Sequence, residues 1–147
     1  MWKKLVGTSD DYGVMVVRIA LGLVMFPHGA QKVLGWFGGH GFNATMAAFT
    51  GQMGIPAPLA ALAIAAEFLG GLGLIVGLLG RVAAVGIFAV MLVVVLKFHL
   101  AVGFFMNWTG TQQGEGFEYH VLAAAMALAV IVKGSGALSI DRMLSRR

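Results

Sequence analysis

Four apolar segments dominate this chain: Val14 to Leu34, Leu59 to Leu79, Val82 to Met106, and Phe117 to Val132. A helix that crosses a bilayer needs about 20 mostly apolar residues. The first two segments have that length, and the third has room to tilt. The fourth is shorter, because its apolar part, Val121 to Val132, would rise only about 18 Å at 1.5 Å per residue. It spans only if Glu118, Tyr119 and His120 enter the membrane with it, or if the bilayer thins locally. Charge content agrees with a membrane class: only 11% of residues are charged, where a soluble domain carries about 25%. Mean hydropathy is +0.90. A surface so poor in charge excludes a soluble globular or disordered chain. The net charge of +4 comes without a contiguous basic stripe, which excludes nucleic acid as a partner.

The loops divide by charge. Lys3, Lys4, Arg81, Lys133, Arg142, Arg146 and Arg147 fall on the side of the termini. The opposite loops, Gly35 to Pro58 and Asn107 to Gly116, contain no Lys or Arg. Positive charge is retained in the cytoplasm, so both termini are expected there, which requires an even number of spans. The expectation is therefore an all-α fold, an integral membrane four-helix bundle forming one domain. Its spans are about 14–34, 59–79, 82–106 and 117–133, and the lipid bilayer is its first partner. Met1 to Tyr12 reads as a polar or interfacial lead-in and not as a signal peptide, because Asp10 and Asp11 break the apolar run. Gly73 and Gly77, with Gly70 and Gly71 one turn earlier, suit close helix packing within the chain or a face for a homo-oligomer.

Against this background each ionisable residue at membrane depth needs a reason, since it costs about 2.5–3.5 kcal/mol to insert. Arg18 belongs to the inner half. His28, Lys32, Glu67, Lys97, His99, Glu118 and His120 fall in the outer half, on four separate stretches of chain. His28 and Lys32 are four residues apart and share a helix face. With the third helix running to Met106, Lys97 and His99 lie roughly 10–14 Å in. Lys97 and His99 are two apart, as are Glu118 and His120, so one of each pair turns away from the centre. The expectation is that His99 and Glu118 face inward and that Lys97 and His120 are peripheral. A single ion pair here could serve only to lock the bundle. The set as a whole suits proton transfer, because histidine titrates near neutrality and a carboxyl out of water holds its proton more tightly. Proton transfer beside an apolar cavity is what reduction or oxidation of a membrane quinone requires. No His-x-x-x-His or Cys-x-x-Cys-His spacing supports a metal or haem site, and the chain has no cysteine. A redox role therefore needs a bound cofactor or a partner. Trp36, Phe37, Phe104, Phe105 and Trp108 flank the outer mouth, either as an interfacial aromatic belt or as a stacking surface for a quinone.

These residues carry a family resemblance. His28-Gly-Ala-Gln-Lys-Val-Leu-Gly35 followed by Phe37-Gly-Gly39 resembles the first-helix signature of the DoxX family. Glu67-Phe-Leu-Gly-Gly-Leu-Gly-Leu74 with Gly77-Leu-Leu-Gly-Arg81 is similar to its second-helix motif. Phe98-His99, Phe117-Glu-Tyr119 and the ending Gly134-Ser-Gly-Ala-Leu-Ser-Ile-Asp141 also match, so the resemblance covers about Arg18 to Asp141. It implies a four-helix protein of the bacterial inner membrane, similar to the DoxD-type small subunit of thiosulfate:quinone oxidoreductase.

The expected function is that of a membrane subunit of a quinone-linked oxidoreductase system. Glu67 and His28 would carry protons, and Lys32 would hold an anionic oxygen or pair with Glu67. His99 and Glu118 would close the outer side. Trp36, Phe105, Trp108, His120 and Lys97 would border a bound quinone. The alternatives are a non-catalytic membrane anchor for a redox or detoxification enzyme, and a small transporter.

Overall fold

The computed structural model describes residues 2–146. All regular structure among them is helical: α1 (Trp2–Val6), α2 (Tyr12–Leu34), α3 (Gly41–Ala47), α4 (Ala57–Val76), α5 (Gly80–Val94), α6 (Glu118–Lys133) and α7 (Ile140–Ser145). Two wider π-turns continue α3 and α5, at Ala48–Gln52 and Val95–His99.

Local chemistry sets the boundaries. Asp11 caps α2 by accepting from the Val14 amide at 3.0 Å, and α2 stops where Gly35 takes a left-handed conformation. Pro56 precedes α4, and Gly77 at φ 72° ends it. Proline loses nothing at a helix start, where its missing N–H has no partner in any case.

Three stretches, Tyr12–Leu34, Ala57–Val76 and Gly80–His99, are long and apolar enough to cross a membrane. The four long helices pack in a ring, α2 on α4, α4 on α5, α5 on α6, and α6 back on α2. Leu21, Met25, Leu74, Ile87, Met91, Ala127 and Val130 fill the centre. Leu23, Leu62, Leu69, Val85, Leu92, Leu122 and Leu128 point outward. So much outward apolar surface would drive association in water, whereas in a bilayer it is the lipid-facing coat.

Two departures from the sequence reading matter for the site. The third apolar segment does not continue as a helix to Met106. Helical structure ends at His99, and the chain turns through residues 100–117, tied back by Phe117 N–H to Gly103 O (3.1 Å) and Glu118 N–H to Phe104 O (2.9 Å). Lys97 and His99 therefore stand at a helix end and not within one. The segment from Gly35 to Pro58 is also no simple loop, because α3 and its π-turn occupy its middle.

The N- and C-terminal segments meet at one end of the ring, here called the terminal end. The Gly136 amide donates to Thr8 Oγ1 at 2.7 Å, and Arg142 pairs with Asp10 at 3.0 Å. Three side chains close the helix ends there. Arg18, 0% exposed, donates to the carbonyls of Leu74 and Ile75 at the end of α4, and to Ser135 and Leu138. Arg81 donates to the carbonyls of Gly7 and of Ile131 and Val132 at the end of α6. Buried Asp141 accepts from the amides of Leu79 and Gly80, which open α5, and from Ser135 Oγ. Each satisfies backbone groups that a helix end leaves without partners and that lipid cannot solvate.

Candidate functional site

At the opposite end, the loop end, α2 and α4 approach backbone to backbone. A Cβ on Gly29 would fall on the backbone of Phe68, and one on Gly71 would lie 2.7 Å from the Phe26 amide nitrogen. Phe26 and Phe68 stack beside this crossing with centroids 5.5 Å apart. The close approach sets Lys32, one turn beyond Gly29, against Glu67, the neighbour of Phe68. Lys32 Nζ lies 2.5 Å from the Glu67 carboxylate, which is 7% exposed. Lys32 Nζ also reaches the carbonyl of His28 at 3.4 Å. Pro27 interrupts the α2 hydrogen-bond ladder immediately before His28, because its nitrogen has no proton for the carbonyl four residues earlier.

From this ion pair a row of protonatable rings crosses to α6 and α5. His28 and Tyr119 have centroids 6.4 Å apart, Tyr119 and His120 5.2 Å, and His120 and His99 4.3 Å. His99 Nδ1 lies 2.6 Å from the Glu115 carbonyl, which can only accept, so that nitrogen carries the proton.

The structure brings Glu67, Lys32, His28, His99 and His120 into one region. His120 corrects the expectation that it is peripheral: it is 8% exposed and shares the buried face of α6 with Ala123, Ala127 and Val130. Glu118 corrects the expectation that it faces inward. Its Oε1 accepts from the Met106 amide and from Trp108 Nε1, both at 3.0 Å, and so braces the 100–117 loop. Lys97 is exposed, as expected of a peripheral side chain. Trp36 packs edge-on against Phe37 and Phe105 against Phe104, and neither borders the two clefts along α6.

Beside the row, two clefts follow α6 and share Tyr119 and Leu122 in their walls. The larger, about 390 Å³, is lined by Phe104, Met106, Trp108, Glu118, Tyr119, Val121 and Leu122. The smaller, about 180 Å³, lies between α2 and α6 against Leu21, Val24, Tyr119, Leu122, Ala123 and Met126. Tyr119 belongs to both, and it is the side chain that sequence reasoning passed over as a site residue. Its signal was its spacing, since Tyr119, Leu122, Ala123 and Met126 recur at helical intervals on one face. Among the described residues no group of three or more His, Asp or Glu converges to hold a metal ion.

Comparison with known proteins agrees with this architecture. The chain matches the DoxX family over residues 13–100, and the family described as the TQO small subunit DoxD over residues 57–147. It is 28% identical to the inner membrane protein YqjF of Escherichia coli (strain K12) over 138 residues, which covers 94% of this chain and 96% of that protein. No solved structure matches it. With three helices fit to cross a bilayer and a family match over more than half its length, the chain is a multi-pass membrane protein that belongs to the DoxX family.

Proposed function

We propose that this protein is the membrane subunit of a quinone-linked oxidoreductase system in the bacterial inner membrane, and that its loop end handles the protons of that reaction. In this reading all four long helices span the membrane, both termini are cytoplasmic, and the loop end faces outward. The meeting of the two terminal segments supports an even number of spans. The presence of Arg81, Lys133, Arg142 and Arg146 near that end supports its cytoplasmic side. The match to the TQO small subunit DoxD supports a redox system as the setting.

The observation that carries the reading is the row from the Lys32–Glu67 pair through His28, Tyr119 and His120 to His99. Quinol chemistry exchanges two protons for each electron pair. Glu67 and His28 take up or release a proton beside the ring, and Lys32 steadies the carboxylate or an anionic oxygen of the ligand. His120 and His99 continue the row toward the loop surface, with water or side-chain rotation joining successive rings.

The test is the absorption spectrum and extracted lipid of the detergent-purified protein, followed by addition of quinol. A stoichiometric quinone in the extract, with a response that Glu67→Gln abolishes in a protein that stays folded, is the expected result. A preparation that holds no quinone and does not respond to quinol overturns the reading. Joint loss of folding or partner binding in Glu67→Gln and His28→Ala would instead identify a non-catalytic anchor.

A further inference from the structure

The two neighbouring clefts along α6 have a chemistry of their own. On α2, Leu21, Val24 and His28 lie at i, i+3 and i+7 on one face, and on α6 Met126, Leu122 and Tyr119 ascend opposite them. Apart from Glu118, which the 100–117 loop engages, and the Tyr119 hydroxyl, the lining is apolar. Its outer rim is not buried: Leu122 is 66% exposed and Trp108 84%. The groove thus opens sideways, on the surface that faces lipid, and not into the centre of the helix ring.

Tyr119 lines both parts, and its hydroxyl turns inward to the helix ring. Its hydrogen bond goes to Met25 Sδ at 3.6 Å, and a thioether is a weak acceptor. A donor held so loosely in an apolar groove is available to a stronger acceptor arriving from the bilayer. The His28 ring is its neighbour on one side, and Phe104 and Trp108 supply flat aromatic surface above.

The geometry points to a binding site for a ring that carries carbonyl or hydroxyl oxygens on an apolar tail, entering laterally from the membrane between α2 and α6. The Tyr119 O–H donates to a ring oxygen. The ring occupies the cleft of about 390 Å³ below Phe104 and Trp108, and the tail descends along Val24, Leu122 and Met126. This rests on the quinone-linked reading and gives it a location and a route of entry. It also separates two roles: Glu67 and Lys32 set the charge beside the site, while Tyr119 and Leu122 form it.

The experiment is calorimetric titration of the purified full-length protein with a quinone bearing a ten-carbon chain, and with an alkyl alcohol of the same chain length. Leu122→Trp fills the groove, and because Leu122 is exposed the fold is kept. Leu128→Trp adds the same bulk to an exposed position of α6 outside the groove. Tyr119→Phe removes only the hydroxyl. Wild type and Leu128→Trp are expected to bind the quinone alike, Leu122→Trp about tenfold or more weakly, and Tyr119→Phe about three- to tenfold more weakly. The alcohol should bind wild type and Tyr119→Phe equally. Quinone binding unchanged in Leu122→Trp and Tyr119→Phe would place the ligand elsewhere and overturn this site, leaving the quinone-linked reading intact. Equal loss of quinone and alcohol in Tyr119→Phe would overturn recognition of the ring oxygen. Absence of quinone binding to the wild type would overturn the quinone-linked reading itself, and this site with it.

Discussion

Lys32 on α2 and Glu67 on α4 form an ion pair of 2.5 Å in which the carboxylate is almost wholly buried and the lysine side chain keeps about a fifth of its surface. The two charges sit on helices that touch through glycine, so neither can withdraw far from the other. Removing one partner leaves a charge in low dielectric, which costs about 3–5 kcal/mol for a fully buried pair. The partial exposure of Lys32 puts this pair toward the lower figure. Lys32→Met and Glu67→Leu should each lower the thermal midpoint of the purified protein clearly, and the double variant should recover most of the loss. Additive losses in the double variant would show that the two side chains do not depend on each other.

The same pair depends on a residue that carries no charge. Because a Cβ on Gly29 would occupy the backbone of Phe68, Gly29→Ala must push α2 away from α4. Overpacking of this kind costs about 1–3 kcal/mol. It should also lengthen the Lys32–Glu67 contact and so remove the stability difference between Glu67 and Glu67→Leu. Gly51→Ala is the matched control, because nothing lies within 4 Å of the Cβ it would add. Thermal unfolding of Gly29→Ala, Gly51→Ala and the combination with Glu67→Leu measures both effects.

How much of this was legible beforehand follows the physics of each element. The apolar runs matched α2, α4 and α6 to within three residues at each end, because length and hydropathy decide a membrane helix. The pairing of Lys32 with Glu67 was among the expected roles, since a carboxylate at membrane depth needs a partner. The facing of His99, His120 and Glu118 could not be counted out from a pitch of 100° per residue. Val95–His99 is a π-turn, which shifts the phase of everything beyond it, and Glu118 found its partners in a loop whose path no periodicity describes. The role of Asp141 was equally hidden, because the helix start it closes lies about 60 residues away in sequence.

Arg18 and Asp141 predict a sharp asymmetry between conservative and truncating substitutions at the terminal end. Arg18 donates to buried carbonyls of two chain segments, the end of α4 and the stretch after α6. Arg18→Met strands those carbonyls away from water, at about 1–3 kcal/mol for each unsatisfied group, and should abolish recovery of folded protein. Lysine has neither the fork nor the reach, so Arg18→Lys should recover little. Asp141→Asn keeps an acceptor for one of the α5 amides and should fold with a lowered midpoint, whereas Asp141→Ala should behave like Arg18→Met. Yield and thermal midpoint after size-exclusion chromatography decide the matter. Wild-type stability of Asp141→Ala would remove its role in starting α5.

Glu118 predicts a local effect and not a global one. Its Oε1 holds both the Met106 amide and the Trp108 indole, at the loop that roofs the larger cleft. In Glu118→Ala both donors lose their acceptor, and limited proteolysis between residues 107 and 116 should quicken by about tenfold, equivalent to about 1.4 kcal/mol. Glu118→Gln retains an amide oxygen and should be cut at close to the wild-type rate. The thermal midpoint should hardly move in either variant, because the helix ring does not rely on this contact. Equal cleavage of Glu118→Ala and wild type would mean that the loop is held elsewhere.

The membrane topology offers a clean test because the chain has no cysteine of its own. Three exposed positions, Ser9, Thr109 and Lys133, report on the two ends of the helix ring. With four spans and cytoplasmic termini, an impermeant maleimide added to intact spheroplasts labels Thr109→Cys, while Ser9→Cys and Lys133→Cys react only after permeabilisation. The test bears most on α6, whose 16 residues rise about 24 Å against a hydrocarbon core of about 30 Å. In the four-span reading, thinning of the bilayer around it, or entry of the 100–117 loop into the headgroup layer, would make up the difference. Labelling of Ser9 and Lys133 from opposite sides would mean that α6 does not cross. The bonds between Gly136 and Thr8, and between Arg142 and Asp10, would then have no place in the membrane. A fully inverted pattern would keep the helix ring and reverse only its orientation, which would set the distribution of Lys and Arg against the fold that carries it.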